Sequence, residues 1–293
     1  MSIAPQGTRL NKYLASCGVG SRRACDAIIQ EGRVYVNNAV CDNPATRVTV
    51  DDVVRLGRKI VTPKTVEVVL FHKPRGLVCT ANDELGRETI YAALPLKLHH
   101  LKNVGRLDKE SEGIIALTND GDLALNLTHP NHKVEKEYIV TLNTAFDNAV
   151  IDQLVAGVHT PEGRAAAKSV HRISPRRASV VLETGLKRQI RIMFEALHLR
   201  VTKLVRVRIG SLTGDGIGPG EWRLLESEEI DALKTNPKPR KQPADVQKAK
   251  HRKRPAKKAA KKVARKKGMH TSKKSARKFA SKSAKRRSPR RRS

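Results

Sequence analysis

The chain has 293 residues, 39% of them hydrophobic but only 3% aromatic, which on a prior of about 150 residues per domain suggests two ordinary cores. Of its 59 Lys and Arg, 26 fall in residues 236–293 beside one acid, Asp245, so the formal charge of +31 lies mostly in a tail and the remainder is mildly basic. Such charge favours polyanions through counterion release, nucleic acid before an anionic membrane. Without an apolar run of about 18 residues or a basic and apolar leader in Met1–Gly7, the sequence points to a cytoplasmic protein that neither spans nor inserts into a membrane. Cys17, Cys25, Cys41 and Cys79 form no close pair, so neither a zinc site nor disulfides are expected.

From Arg9, Leu10, Tyr13 and Leu14 fall at helical spacing; Gly18 and Gly20 interrupt; Ser21 can cap a second helix carrying Ala24, Ala27, Ile28 and Ile29, which Gly32 ends. Val34–Val36, the Asn37-Asn38 turn and Ala39-Val40 read as a hairpin, and residues 48–56 as one further extended segment. Arg22 and Arg23 occupy the first turn of the second helix, where the macrodipole disfavours cations and a bound phosphate would offset the cost. The alternative is two arginines extended into water. The run Arg9-Leu10-Asn11-Lys12-Tyr13-Leu14 with Gly18, Ser21-Arg22-Arg23 and Gly32–Asn37 resembles the RNA-binding module first known from ribosomal protein S-four. That resemblance implies RNA contacts from Arg9, Lys12, Ser21, Arg22 and Arg23 and a module over residues 8–62.

Residues 59–65, with Pro63, read as a linker, and Val66–Phe71 as an apolar strand that opens a second domain, residues 66–233. Lys73-Pro74-Arg75-Gly76 is by itself an ordinary turn sequence. Further on, Gly105-Arg106-Leu107-Asp108 precedes Ser111 and Gly113, then an apolar strand from Ile114 to Leu117 closed by Asn119-Asp120-Gly121. A polar loop at the edge of a rigid sheet is a common place for a site. Arg106, two positions before the acid, would point to the same side as Asp108 and favour its ionised form. A plain capping role for Asp108 is the competing reading of the spacing alone.

Residues 122–127 read as a short helix before Pro130, and Lys136–Leu142 as a half-buried strand with Tyr138, Val140 and Leu142 on one face. A helix follows over 148–158 and a strand over 179–182. Ile190, Met193, Phe194 and Leu197 then fit one helical stripe, with Arg188 and Arg191 off it. Lys203–Gly210 alternates bases with apolar residues, as a strand with one basic face would. The glycines at 214, 216, 218 and 220 lack Gly-Lys-Ser/Thr and read as a flexible turn. Glu221–Leu225 is extended, Ser227 can cap a final helix, and residues 236–293 should be disordered when free.

Taken as a set, Gly105–Asp108 with Ser111, Gly113 and Thr118–Gly121, the upstream Lys73-Pro74-x-Gly76, Lys136-Glu137-Tyr138 and Gly185 with Arg188–Arg191 resemble the pseudouridine synthases. The subgroup they are most similar to is the ribosomal small-subunit pseudouridine synthase A family. The resemblance implies an α+β fold in which a small helix-helix-strands module precedes a mixed, mainly antiparallel sheet with flanking helices. It also implies that Asp108 is catalytic, Tyr138 stacks on the target base, Arg191 pairs with the carboxylate and Arg106 helps fill the space left by the flipped nucleotide. Lys73, in the first motif, is expected among the RNA contacts. The sequence offers no metal-ligand cluster, Cys-His or Ser-His-Asp arrangement or nucleotide-phosphate loop, which agrees with a cofactor-free isomerisation. The expected substrate is ribosomal RNA, large-subunit RNA first, reached on assembly intermediates by a monomer. A noncatalytic ribosome-assembly protein and a tail-driven nucleic-acid compactor are the competing readings.

Overall fold

The computed structural model describes residues 7–81 and 83–237; the disorder expected over 236–293 falls almost wholly outside the described residues. Helix α1 (Leu10–Ser16) buries Leu10 and Leu14, and α2 (Arg22–Gln30) buries Cys25 and Ile29, each pair four residues apart on one helical face. Ser21 caps α2 by accepting the amide of Ala24. These side chains pack on Val34, Val48, Val54 and Val61, under a four-stranded sheet ordered 39–41, 34–36, 54–56, 59–60. The Asn37-Asn38 turn has both φ angles positive, 49° and 71°, the geometry that matches a tight hairpin to strand twist.

Two segments fold differently from the expectation. Residues 48–56 are not one strand: Arg47–Val48 and Val54–Leu56 pair with different partners, because the Asp52 carboxylate takes the amide and hydroxyl of Thr49 and the side-chain amide of Asn37 and folds the chain between them. The linker over 59–65 likewise begins with a paired strand, Lys59–Ile60.

The larger sheet contains β1 (Val68–Lys73), β2 (Glu112–Thr118), β3 (Lys136–Leu142), β4 (Ser169–Ser174), β5 (Arg177–Leu182), β6 (Val201–Ile209) and β7 (Trp222–Leu224). Their order is β4-β5-β3-β6-β2-β1-β7, antiparallel throughout except for the central β6–β2 pair. β1 and β2 are buried on both faces: Val69, Phe71, Ile115 and Leu117 pack on Leu77, Ile90 and Leu107, while Val68, Leu70, Ile114 and Ala116 pack on Leu123, Leu127 and Leu233. That is why these strands read as continuous apolar runs rather than alternating ones. Helices α3 (Gly121–Thr128) and α6 (Ser227–Lys234) cover the second face, and α4 (Asn148–Ala156) and α5 (Gln189–Glu195) pack at the β3-β5-β6 end. Among the described residues no helix is long and apolar enough to cross a membrane.

The parallel contact depends on Gly113. It sits at φ +113°, opposite Arg206, and a Cβ there would lie 2.2 Å from the Arg206 carbonyl oxygen. Gly113→Ala should therefore cost about 2–5 kcal/mol, combining the backbone penalty with a clash against main chain that has no side-chain rotamer to yield. Urea unfolding reads this; a midpoint shift equivalent to less than about 1 kcal/mol would show that the strand can part there without loss.

Candidate active site

The loop from Val104 to Ser111 leaves the sheet edge and returns through Gly113. Leu107 is buried against Leu77, Ile90 and Tyr91, an anchor of about 2 kcal/mol, and its amide donates to the Cys79 sulfur at 3.3 Å. With Leu107 turned inward, Arg106 and Asp108 on either side face the same cavity, as alternation along an extended segment requires. The Asp108 carboxylate is half-buried and has no hydrogen-bond or ion-pair partner among the described residues. It is held through its backbone instead, its carbonyl accepting the Ser111 amide at 3.0 Å.

Two cations fix the turn that follows. Lys73 is fully buried and its ammonium donates to the carbonyls of Ser111 (2.7 Å), Pro74 (2.9 Å) and, at the limit, Lys109 (3.4 Å). Arg191 donates to the Glu110 carbonyl (3.1 Å), the Val201 carbonyl (3.1 Å) and the Ser111 hydroxyl (3.5 Å). Burial lowers the pKa of both, and the charge of Asp108 acts against that shift in each. Lys73 thus departs from the RNA-contact expectation: an ammonium enclosed in protein and spent on carbonyls cannot reach a phosphate. Arg191 lies behind the loop, near enough to feel Asp108 but ion-paired with no carboxylate among the described residues.

The cavity, about 1090 Å³, is walled by residues 104–109, 185–190 and 83–87 and floored by β3, β5 and β6. Tyr138 stands on that floor, half-buried, where two hydrophobic clusters meet. Arg206 is its direct partner on β6, and Lys136 is two residues away on β3. Across the cavity, buried Gln189 accepts from the Thr184 hydroxyl and the Leu186 amide and donates to the Ala166 carbonyl, fixing the loop before α5. Arg188 sits in that loop at φ +52°, ahead of the helix rather than within its opening turns. A non-glycine residue held in the left-handed region is a local strain of a kind found at functional sites.

The basic face expected of residues 203–210 does not form. A register shift at Val207 places Arg208 opposite Glu137 and Arg206 opposite Tyr138, so the two arginines leave opposite faces. Arg208 is buried and paired with Glu135 and Glu137 on the far side; only Arg206 reaches the cavity.

In the N-terminal module, Arg9, Ser21, Arg22 and Arg23 are exposed, and no acid lies in the first turn of α2. Lys12 is held by both oxygens of Asp122 at 2.7 Å, so its charge is engaged within the protein.

The family model for RNA pseudouridylate synthase matches residues 67–196, and that for the S4 domain matches residues 8–54. The ribosomal large subunit pseudouridine synthase B of Yersinia pestis is 35% identical over 240 residues, covering 78% of this chain and 76% of the relative. The chain belongs to the RNA pseudouridylate synthase family.

The protein of the same name from Bacillus subtilis is 31% identical over 77% of this chain and 95% of its own length. The dual-specificity RNA pseudouridine synthase RluF of Salmonella typhi is 35% identical over 79% of this chain and 81% of its own length. A crystal structure of a pseudouridylate synthase superposes with a TM-score of 0.57 at 26% identity, over 78% of this chain and the whole of that one. As a synthase of this family the chain is an RNA-modifying isomerase. The small-subunit label drawn from the motifs is corrected, since these relatives carry dual-specificity or large-subunit names.

For this pseudouridine synthase, sequence reasoning missed Lys136 and Arg206 as cavity residues. Lys136 lay within the quoted motif, but the Arg206 partnership depends on a bulge that period-2 alternation cannot reveal. Burial and, secondarily, the charge of Arg206 push Lys136 down to about 8. The folded state therefore binds the proton less tightly than the unfolded chain, and stability should rise as pH climbs from about 8 towards the ordinary lysine value near 10.4. The gain is on the order of 1 kcal/mol once solvent screening of a partly shielded group is allowed for. Comparing denaturant midpoints of wild type and Lys136→Met across that range isolates it; parallel curves would show that Lys136 titrates normally.

Proposed function

We propose that this chain isomerises uridine to pseudouridine at specific positions in ribosomal RNA, with large-subunit RNA as the substrate. The observation that carries this is the placement of Asp108: a carboxylate without a partner among the described residues, in the wall of a cavity floored by a tyrosine. The isomerisation breaks the bond from N1 to the ribose, turns the base, and joins carbon five to the ribose, so nothing is added or lost. Asp108 performs the step at the ribose. Tyr138 holds the extruded base by its face, a contact worth about 1–3 kcal/mol. Arg106, exposed at the cavity mouth, fills the gap left by base flipping, whose cost is a few kcal/mol. Arg191 orients the carboxylate through its loop.

The module over 8–62 supplies phosphate contacts through Arg9, Ser21, Arg22 and Arg23, and the catalytic part over 66–233 acts as a monomer on ribosome assembly intermediates in the cytoplasm. The large-subunit names of the relatives support the choice of RNA. Mapping pseudouridines in ribosomal RNA from cells with and without the chain tests the proposal. Loss at one or a few large-subunit positions is expected; unchanged maps would leave the noncatalytic assembly reading, and loss confined to small-subunit RNA would overturn the choice of substrate.

A further inference from the structure

Arg206 and Lys136 have no task in that scheme, yet the fold bears a cost to place them. Arg206 is 5% exposed. Its Nε donates to the Ile114 carbonyl at 2.7 Å, and its Nη2 is enclosed with no partner. Nη1 makes no hydrogen bond among the described residues either and is outside that fully enclosed set, which leaves it as the end reached from the cavity. Lys136 donates to the Leu127 carbonyl at 3.0 Å, and Arg206 is near enough to disfavour its charge. Neither cation is ion-paired among the described residues. A buried charge without a counter-charge costs several kcal/mol, and a second like charge adds to it. A negative charge that develops in the cavity during the reaction would recover part of that free energy.

Depth selects the partner. The bases suited to backbone phosphates, Lys109, Lys187 and Arg188, are exposed around the cavity, whereas Arg206 is level with Tyr138 in the sheet. The group at that level is the base itself. When the bond from N1 to the ribose breaks, its electron pair remains with the base, whose negative charge spreads onto its two carbonyl oxygens. When carbon five has bonded to the ribose, its proton is released and N1 gains one, restoring a neutral base. The charge is transient, and it appears whichever step Asp108 takes.

We propose that Arg206, with Lys136 beside it, binds the carbonyl edge of the extruded uracil and stabilises its negative charge while the base is detached. This rests on the isomerisation proposed above. Fixed donors aimed at developing charge typically contribute about 10²–10³ in rate.

The test compares a uridine target with 5-fluorouridine, whose electron-withdrawing fluorine lets the base carry negative charge with less help. Loss of the N-glycoside is followed in single turnovers at saturating RNA. Arg206→Met should lower the uridine rate about 10²–10³-fold, the 5-fluorouridine rate at least tenfold less, and leave RNA affinity within about twofold; Arg206→Lys should recover part of the loss. Lys136→Gln, a partly exposed position that does not carry the Ile114 contact, should show the same substrate difference with a loss of about tenfold, and it decides the matter if Arg206→Met does not fold. Equal losses on both substrates would mark a structural role, and a loss confined to RNA affinity would mark a phosphate contact; either overturns the assignment. Failure of the wild type to convert either RNA would instead sink the isomerisation.

Discussion

Asp108→Asn should abolish turnover while leaving RNA binding essentially intact. The side chain keeps its size, and the loop is held by backbone contacts, Leu107, Lys73 and Arg191 rather than by the carboxylate, so the fold has little reason to change. What disappears is the charge, and with it the group proposed to act at the ribose. A loss of about 10⁴-fold or more, roughly 5.5 kcal/mol of transition-state stabilisation, is the scale expected when the reacting group itself is removed. RNA affinity should stay within about twofold, because the acid repels phosphates rather than binding them. Retention of more than a few per cent of the wild-type single-turnover rate would remove Asp108 from the centre of the reaction.

Lys73→Met is expected to be the most damaging change outside the cavity. Methionine matches the length of lysine but donates nothing, leaving the carbonyls of Ser111 and Pro74 without their shortest partner in a fully buried site. Unsatisfied buried acceptors cost about 1–3 kcal/mol each, so stability should fall by about 2–5 kcal/mol, offset in part because burial already disfavours the ammonium. Activity should fall further than stability alone dictates, by about 10²-fold in folded protein, since the turn after Asp108 sets the position of the carboxylate and a misplacement of about 1 Å is that expensive. Urea midpoints and single-turnover rates measured on the same preparation separate the two effects. A stable, fully active variant would show that Glu110 pinned by Arg191 and Arg75 suffices to hold the loop.

The local signals in the chain translated well where one physical cause dominated. Asn37-Asn38 demanded positive φ and produced the hairpin, Ser21 demanded an amide and received that of Ala24, and the stripe of Ile190, Met193 and Phe194 is buried. The alternation of Arg106 and Asp108 about Leu107 was likewise readable, as the sequence separation is two. What stayed hidden was set by distant pairing. Lys73 looks like an exposed base in a turn until the carbonyls of residues 109 and 111 close over it. Arg206 and Arg208, two residues apart, look like one solvated face until a single bulged residue, Val207, sends one arginine to Glu137 and the other to the cavity. The break in residues 48–56 depends on where the Asp52 carboxylate finds its donors, which spacing cannot supply.

Whether one carboxylate in this cavity drives uridine isomerisation is tested most directly on unmodified large-subunit ribosomal RNA transcript incubated with the purified protein. Nucleotide-resolution mapping should find pseudouridine at one or a few positions with the wild type and at none with Asp108→Asn. Pseudouridine formed equally by the variant, or by neither protein on RNA that both demonstrably bind, would contradict it.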